Sequence, residues 1–218
     1  MSIETLIEHI RFQTDDVIEQ FLFSDEFITF YLKEAEIEAC RRQALLVDII
    51  ELDVTNTDYK IELPKNIVAI TRVKVRSQNN SLYQTTIREL DIYNAGWENQ
   101  LPTEPTYYFV DQKTAHLSVY PKFSHDDKLQ ITASRTPVSL LEINERYHLA
   151  LCDWALYRLY SKKDSIIYDS VKAENFLAAF IGSFGTRADL ENEAAMQKGA
   201  MQKYEFGQVN RPAATPKK

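Results

Sequence analysis

The stretch SDEFITFYLKEAEIEACRR (residues 24–42) decides the first part of the fold. Ser24 is a favourable N-cap, and the acidic residues directly after it suit the positive end of a helix dipole. Apolar residues recur along the stretch with helical spacing, at Ile28, Leu32, Ala35 and Ala39. The stretch therefore predicts an amphipathic helix that ends near Arg41 and Arg42.

Helical spacing also occurs before this stretch and again after Pro137. Residues 2–12 predict a short first helix, because their apolar side chains share one face. Residues 142–162 predict a third helix, and another begins at about Asp169. The apolar stripe of that last helix consists of Ala173, Phe176, Leu177, Phe180, Ile181 and Phe184. Helical composition then resumes over residues 186–203.

The middle of the chain, residues 46–136, has a different pattern, in which β-favouring residues alternate with polar ones. The clearest alternating runs are residues 59–63, 72–76, 116–119 and 129–134. Polar turn-forming stretches separate them at residues 56–58, 78–80 and 124–127. Alternation on one face predicts antiparallel strands with one buried side. Within this region, residues 88–95 predict a short helix, followed by a loop over residues 97–105.

Together these segments predict an α+β protein, in which a helical bundle from both ends of the chain carries an inserted antiparallel β domain. The bundle comprises residues 1–45 and 138–204, the β domain residues 46–137, and an extended basic arm residues 205–218. Residues 201–218 hold four basic side chains against Glu205, a local excess of +3. Since the end of this stretch has no apolar period with which to offset the entropy of ordering, we expect a flexible arm.

Composition narrows the functional classes. A net charge of −7 argues against general capture of nucleic acid, which depends on Lys and Arg. No apolar run approaches the roughly 20 residues of a membrane helix. The start MSIETLIEHIRFQTDD is acidic and amphipathic, so we expect no secretory signal. The chain has 5 Gly but 23 Phe and Tyr residues, which favours an interaction protein over one that cradles phosphates.

No catalytic, cofactor-binding or metal-binding residues are predicted. The four histidines, His9, His116, His125 and His148, lack the spacing of metal motifs. The cluster at residues 125–127 favours a polar turn over a cation site. Asp15 and Asp16 are adjacent and cannot face each other, so we expect them near a helix start. Cys40 and Cys152 lack CxxC spacing, which indicates free thiols in a reducing cytosol.

The order of these segments resembles the podovirus-type phage head-to-tail adaptor, also called the head completion or upper neck protein. The resemblance runs over roughly residues 24–185 and is carried by a series of short motifs. They are Ser24 to Phe27, Tyr31-Leu32, Glu34-Ala35, Arg41-Arg42, Tyr59 to Pro64, Ile70 to Val73, Arg88 to Trp97, Pro105 to Tyr108, Leu117 to Pro121, Arg135-Thr136-Pro137, Ile143, and Tyr147-His148-x-Ala150-Leu151.

The resemblance implies a structural protein without enzymatic activity or cofactor. Similar proteins form a ring of twelve copies beneath the portal protein, extend the DNA channel and dock tail or nozzle proteins. It implies a place in the virion neck, assembly in the host cytoplasm, no membrane, and DNA that passes through without specific binding. It also implies a portal-docking arm, here Phe206, Val209, Asn210, Arg211, Pro212, Lys217 and Lys218.

Some readings stay open. Arg72, Lys74 and Arg76 on one strand face could contact DNA or a neighbouring subunit, although a solvated outer face is favoured. The aromatic residues Tyr147, Trp154, Tyr157 and Tyr160 fit a core or a subunit interface equally. A tail or baseplate component, or another protein-binding module, is the second candidate function. A hydrolase with a site built from separated segments is the third.

Overall fold

The computed structural model describes residues 1–56, 60–78, 80–94, 96–111 and 116–187. In chain order its elements are α1 (Ile3–Gln13), α2 (Asp25–Arg42), β1 (Val47–Val54), β2 (Lys60–Glu62), β3 (Ile67–Val75), β4 (Tyr83–Gln84), α3 (Ile87–Tyr93), β5 (Tyr107–Asp111), β6 (His116–Tyr120), β7 (Asp127–Arg135), α4 (His148–Tyr160) and α5 (Ser170–Phe184). Short 3-10 turns lie at Trp97–Asn99 and Glu145–Tyr147. The mixed α+β class predicted from the sequence is therefore confirmed.

Side-chain caps set the starts of the predicted helices. Ser24 Oγ accepts a hydrogen bond from the Phe27 amide at 3.3 Å, and α2 begins at the next residue. Asp169 Oδ1 accepts from the amides of Val171 and Lys172, both at 3.0 Å, and caps α5 in the same way. Such caps satisfy amides that have no partner inside the helix. The predicted beginnings of α2 and α5 are confirmed.

The helix predicted from residue 142 starts later, at His148. The Glu142 carboxylate accepts hydrogen bonds from the backbone amides of Val138, at 2.8 Å, and Ser139. These bonds close a turn directly after the β region, and Leu141 in it has a φ of 63°. A left-handed backbone conformation cannot continue an α-helix, so regular structure resumes only beyond this turn.

Seven strands form two sheets within the described residues. One has the order β1-β7-β3 and is antiparallel throughout. The other has the order β2-β6-β5-β4, and its last pair, β4 with β5, is parallel. The predicted strands pair antiparallel, whereas β4, which was not predicted from the sequence, adds one parallel pair. A parallel neighbour needs a crossover connection, which α3 and the loop before β5 provide here.

The apolar side chains form separate clusters in the helices and between the sheets. Helix α4 packs against α1, α2 and α5, and the four helices share one core. Trp154 and Tyr160 are buried in that core, whereas Tyr147 and Tyr157 are half-buried. None of the described helices is both long and apolar enough to cross a membrane.

The two connections between the helices and the sheets lie side by side. The Arg135 amide donates to the Leu46 carbonyl at 3.0 Å, and the Arg135 guanidinium bridges the carboxylates of Asp48 and Glu142. Hydrogen bonds from Ser139 and from Arg135 lower the pKa of Glu142 to about 2. Buried Glu36 on α2 accepts from the Leu141 amide at 2.7 Å and the Ile143 amide at 3.0 Å. The junction is thus a network of ionic and backbone hydrogen bonds.

Candidate interaction surfaces

The connection between α1 and α2 is held by one buried arginine. The Arg11 guanidinium donates to Asp16 Oδ2 at 2.9 Å, to the Phe23 carbonyl at 2.9 Å and to Asp25 Oδ1 at 2.6 Å. Asp16 also accepts from the Leu22 amide at 2.7 Å and the Phe23 amide at 3.2 Å. The side chains of Arg11 and Asp16 are only 8% and 7% exposed. Removing Arg11 would leave the buried Asp16 charge without its cationic partner, whereas Arg11 without Asp16 would keep Asp25.

This connection corrects one expectation from the sequence. Asp15 and Asp16 do not begin a helix, because α1 ends at Gln13 and they follow it. Asp15 and Gln20 have φ angles of 55° and 73°, a backbone region that costs non-glycine residues about 1 kcal/mol or more each. The buried Arg11–Asp16 ion pair therefore holds this loop in one conformation despite the backbone strain at Asp15 and Gln20.

The loop displays apolar side chains to solvent. Val17, Ile18, Phe21 and Leu22 are all exposed, Ile18 to 80%. Ile166, in the connection between α4 and α5, is 88% exposed and lines a groove together with Leu22. We call these five residues the apolar patch. Sequence reasoning missed it, although the run VIEQFLF between two predicted helices is unusually apolar for a connection.

The groove beside the patch lies between the α1–α2 and α4–α5 connections. It has an open volume of about 560 Å³. Its lining is Leu22, Phe23, Ser24, Phe27, Lys162, Asp164, Ser165 and Ile166. Four exposed carboxylates lie in the α1–α2 connection and the first turn of α2, at Asp15, Glu19, Asp25 and Glu26. Residues 12–32 contain no Lys or Arg, so this stretch is acidic, although Asp25 is paired with Arg11. The groove itself is lined by one side chain of each charge, Lys162 and Asp164.

The predicted basic strand lies on the outer face of the three-stranded sheet. Val73 and Val75 are buried between the sheets, so Arg72 and Lys74, which alternate with them, point the other way. Arg72 Nε donates to Ser81 Oγ at 2.8 Å, and Arg76, just beyond β3, forms an ion pair with Glu51. Contact of this face with DNA or another subunit stays a prediction.

The predicted portal-docking arm lies outside the described residues. The last described residue, Arg187, donates from Nε to Glu38 Oε1 at 2.9 Å. Arg42 binds the same carboxylate oxygen at 2.9 Å and donates to the Gly185 carbonyl at 3.0 Å. Burial would raise the pKa of Glu38, but these arginine hydrogen bonds outweigh it and lower the pKa. The chain therefore leaves the helices at the C-terminal end of α2.

The metal-binding and nucleophilic groups considered from the sequence do not form a site within the described residues. They contain no group of three or more His, Cys, Asp and Glu placed to hold a metal ion. Asp126, in the predicted polar turn, accepts a hydrogen bond from the Asn56 amide at 2.9 Å. Burial raises the pKa of the Cys40 and Cys152 thiols to about 12, so neither is a nucleophile near neutral pH.

The exposed apolar patch and the outer face of the three-stranded sheet are features typical of interaction proteins. Comparison with known families gives a match to the model of the SU10 adaptor protein over residues 1–203. The chain therefore belongs to the SU10 adaptor protein family. The resemblance to phage head-to-tail adaptors is confirmed at the level of the family, which places the chain among structural proteins of the virion neck. No curated protein matches the chain.

Proposed function

We propose that this chain is a non-enzymatic head-to-tail adaptor that forms a ring of twelve copies beneath the portal. The ring would extend the DNA channel and offer a docking surface to tail or nozzle proteins. The observation that carries the proposal is the family match over residues 1–203. In this arrangement a helical bundle (residues 1–45 and 138–204) carries the β domain (residues 46–137), and residues 205–218 form the arm.

Ring formation needs two different surfaces on each copy, because a head-to-tail contact repeats around a closed circle. The apolar patch is a suitable candidate for one of them, since it would bury its side chains against a neighbour. The outer face of the three-stranded sheet is a candidate for the other. It carries exposed Val47 and Ile49 on β1 and the basic residues Arg72 and Lys74 on β3. We propose that this face contacts a neighbouring subunit rather than DNA.

The arm is proposed to dock on the portal through residues 206–218. It combines Phe206 and Val209 with Arg211, Lys217 and Lys218, so it can offer both apolar and charged contacts. An arm that orders only on binding can wrap a large surface of its partner. DNA is proposed to pass through the ring without specific binding, because a chain of net charge −7 supplies few cations to hold phosphates.

Deletion of residues 207–218 tests the arm. The variant should keep the thermal unfolding transition of the parent chain, since it leaves residues 1–187 intact. Its assembly on purified portal, followed by sedimentation and electron microscopy, should fall at least tenfold. A variant in which the same residues are replaced by Gly and Ser controls for length. Normal ring assembly by both variants would rule out the arm, and portal complexes without any ring would rule out the adaptor function.

A second candidate is a tail or baseplate component. The outer edge of β1 favours it, because β1 pairs only with β7 within the described sheets and could pair with another copy. Sedimentation of the purified chain without portal separates the two candidates. An adaptor should stay monomeric, whereas a self-assembling tail component should form oligomers.

A further inference from the structure

We propose that the groove between the α1–α2 and α4–α5 connections binds the chain's own carboxy-terminal segment before assembly, with Tyr204 and Phe206 as its apolar anchors. The inference rests on the proposed function, because it gives the portal-docking arm a place on the unassembled chain. It identifies an interaction surface and its occupant in the free protein. The occupant lies outside the described residues, whereas the groove lies within them.

Specific contacts on both sides hold the groove in shape. The Arg11–Asp16 ion pair and two positive φ angles hold its α1–α2 side in one conformation. On the other side, Lys162 Nζ lies 5.1 Å from the centre of the Phe27 ring. A loop free of functional demand would relax the strain and turn its apolar side chains inward. The groove therefore requires an occupant with apolar side chains.

The chemistry of residues 201–218 suits this groove. Tyr204 and Phe206 provide large apolar surfaces, and an aromatic side chain loses little conformational entropy on binding. The basic residues Lys203 and Arg211 flank them on both sides. The chain that forms one side of the groove carries exposed carboxylates at Asp15, Glu19, Asp25 and Glu26, and Asp164 lines the groove itself. Opposite charges around an apolar contact fix its orientation and discriminate against other ligands.

The chain is also long enough to reach its own groove. Helix α5 has 15 residues, so it spans about 22 Å between the groove side of the helices and the Glu38 end of α2. Arg187 is bound at that end. The 19 residues after it, up to Phe206, span about 28 Å even at the rise of an α-helix. A tethered segment that spans its site competes at an effective concentration on the order of millimolar. The segment of the same chain is therefore favoured over that of another copy.

Occupancy of the groove would link the two steps of assembly. While the segment lies in the groove, it covers Leu22 and Ile166 of the apolar patch. When the portal binds the segment, the patch becomes available to the next copy. Copies would then join efficiently only on the portal, and the free chain would stay monomeric.

A binding experiment on the full-length chain tests the proposal. The probe is a fluorescein-labelled peptide of residues 201–212, MQKYEFGQVNRP, and the readout is fluorescence anisotropy. The variant Tyr204→Ser/Phe206→Ser should bind the probe at least tenfold more tightly than the parent, because its groove is vacated. The variant Ala213→Ser/Ala214→Ser is the matched control, and it should behave like the parent.

A second substitution locates the binding site without disturbing the core. Ile166→Glu, at a position that is 88% exposed, is added to the Tyr204→Ser/Phe206→Ser chain and should weaken probe binding at least tenfold. Ile92→Glu, at a 61% exposed position on α3, is the control and should leave binding unchanged.

Equal binding by parent and vacated variant, or no binding by either, overturns the proposal. A parent dimer that disappears in the Tyr204→Ser/Phe206→Ser variant overturns it as well, because the segment would then occupy the groove of another copy. The experiment contains no portal, so its failure leaves the adaptor function untouched. Conversely, failed assembly on the portal would leave a positive peptide result intact.

Discussion

Replacing Arg11 by methionine should destabilise the protein strongly, even though the substitution keeps much of the side-chain volume. In the variant, the buried Asp16 carboxylate loses its only arginine partner among the described contacts and keeps the amides of Leu22 and Phe23. Breaking a buried ion pair by removing one partner costs about 3–5 kcal/mol. That is a large part of the roughly 5–15 kcal/mol by which a typical domain is stable.

The free energy of unfolding is measured by urea titration, followed by circular dichroism at 222 nm. With a slope of about 2 kcal/mol per molar urea, the midpoint should fall by roughly 2 M. Adding Asp16→Asn to Arg11→Met should restore about 1–2 kcal/mol, because the side chain still accepts from the Leu22 amide but no longer buries a charge. Hydrogen exchange at the Leu22 amide should quicken in the single variant.

Arg146→Met is the matched control for this series. Arg146 is exposed and bonds to the Tyr147 hydroxyl, so its loss should change stability by less than about 0.5 kcal/mol. If Arg11→Met costs no more than this control, the loop is not held by the buried pair. The exposed conformation of the apolar patch would then not depend on Arg11.

Two further substitutions test the core and the junction. Phe180→Ala should cost about 3–5 kcal/mol in urea titration, because Phe180 is fully buried against Trp154, whereas Val171→Ala, exposed on the same helix, should be nearly neutral; a neutral Phe180→Ala would place that stripe on a surface. Glu142→Gln should lower stability by about 1–3 kcal/mol at pH 7. Since the folded-state pKa of Glu142 is lowered to about 2, its contribution is present above the usual value of 4.5 and is lost as the pH falls from 4.5 towards 2. The difference between parent and variant should therefore shrink over that range, and a pH-independent difference would contradict it.

The sequence predicted those parts of the fold that depend on local patterns. The cap at Ser24 and the stripe around Phe180 are encoded within a few residues, so the helices they define could be recognised. The strands of the β region followed from alternation in the same way. Their pairing could not, because β7 lies between β1 and β3 through contacts far apart in the chain. The late start of α4 was missed because Glu142 looks like a helical residue, whereas its carboxylate closes a turn.

The apolar patch could not be predicted from the sequence for a different reason. A run such as VIEQFLF predicts burial, because apolar side chains are normally removed from water. Its exposure results from Arg11, whose guanidinium reaches across the loop to Asp16, Phe23 and Asp25. The pattern of apolar residues in one segment does not reveal that a nearby arginine will be buried. Only the three-dimensional contacts distinguish a displayed apolar loop from one that packs into the core.

Three carboxylates near α2 are almost fully enclosed, and each one fixes a connection of the chain. Asp16 holds the α1–α2 loop, Glu36 holds the linker between β7 and α4, and Glu38 holds the exit of α5 through Arg187. Apolar residues at these positions could stabilise the helices equally well, since a buried ion pair is often no better than a hydrophobic contact. The directional hydrogen bonds of these carboxylates additionally fix the position of the chain segments that they bind. In the proposed ring, the loop, the β domain and the exit of α5 must keep a fixed relation, because neighbouring copies and the portal would contact them at the same time. Substituting Glu36 by Gln should therefore disturb ring assembly more than it disturbs helix content, and an unchanged ring would argue that these carboxylates serve stability alone.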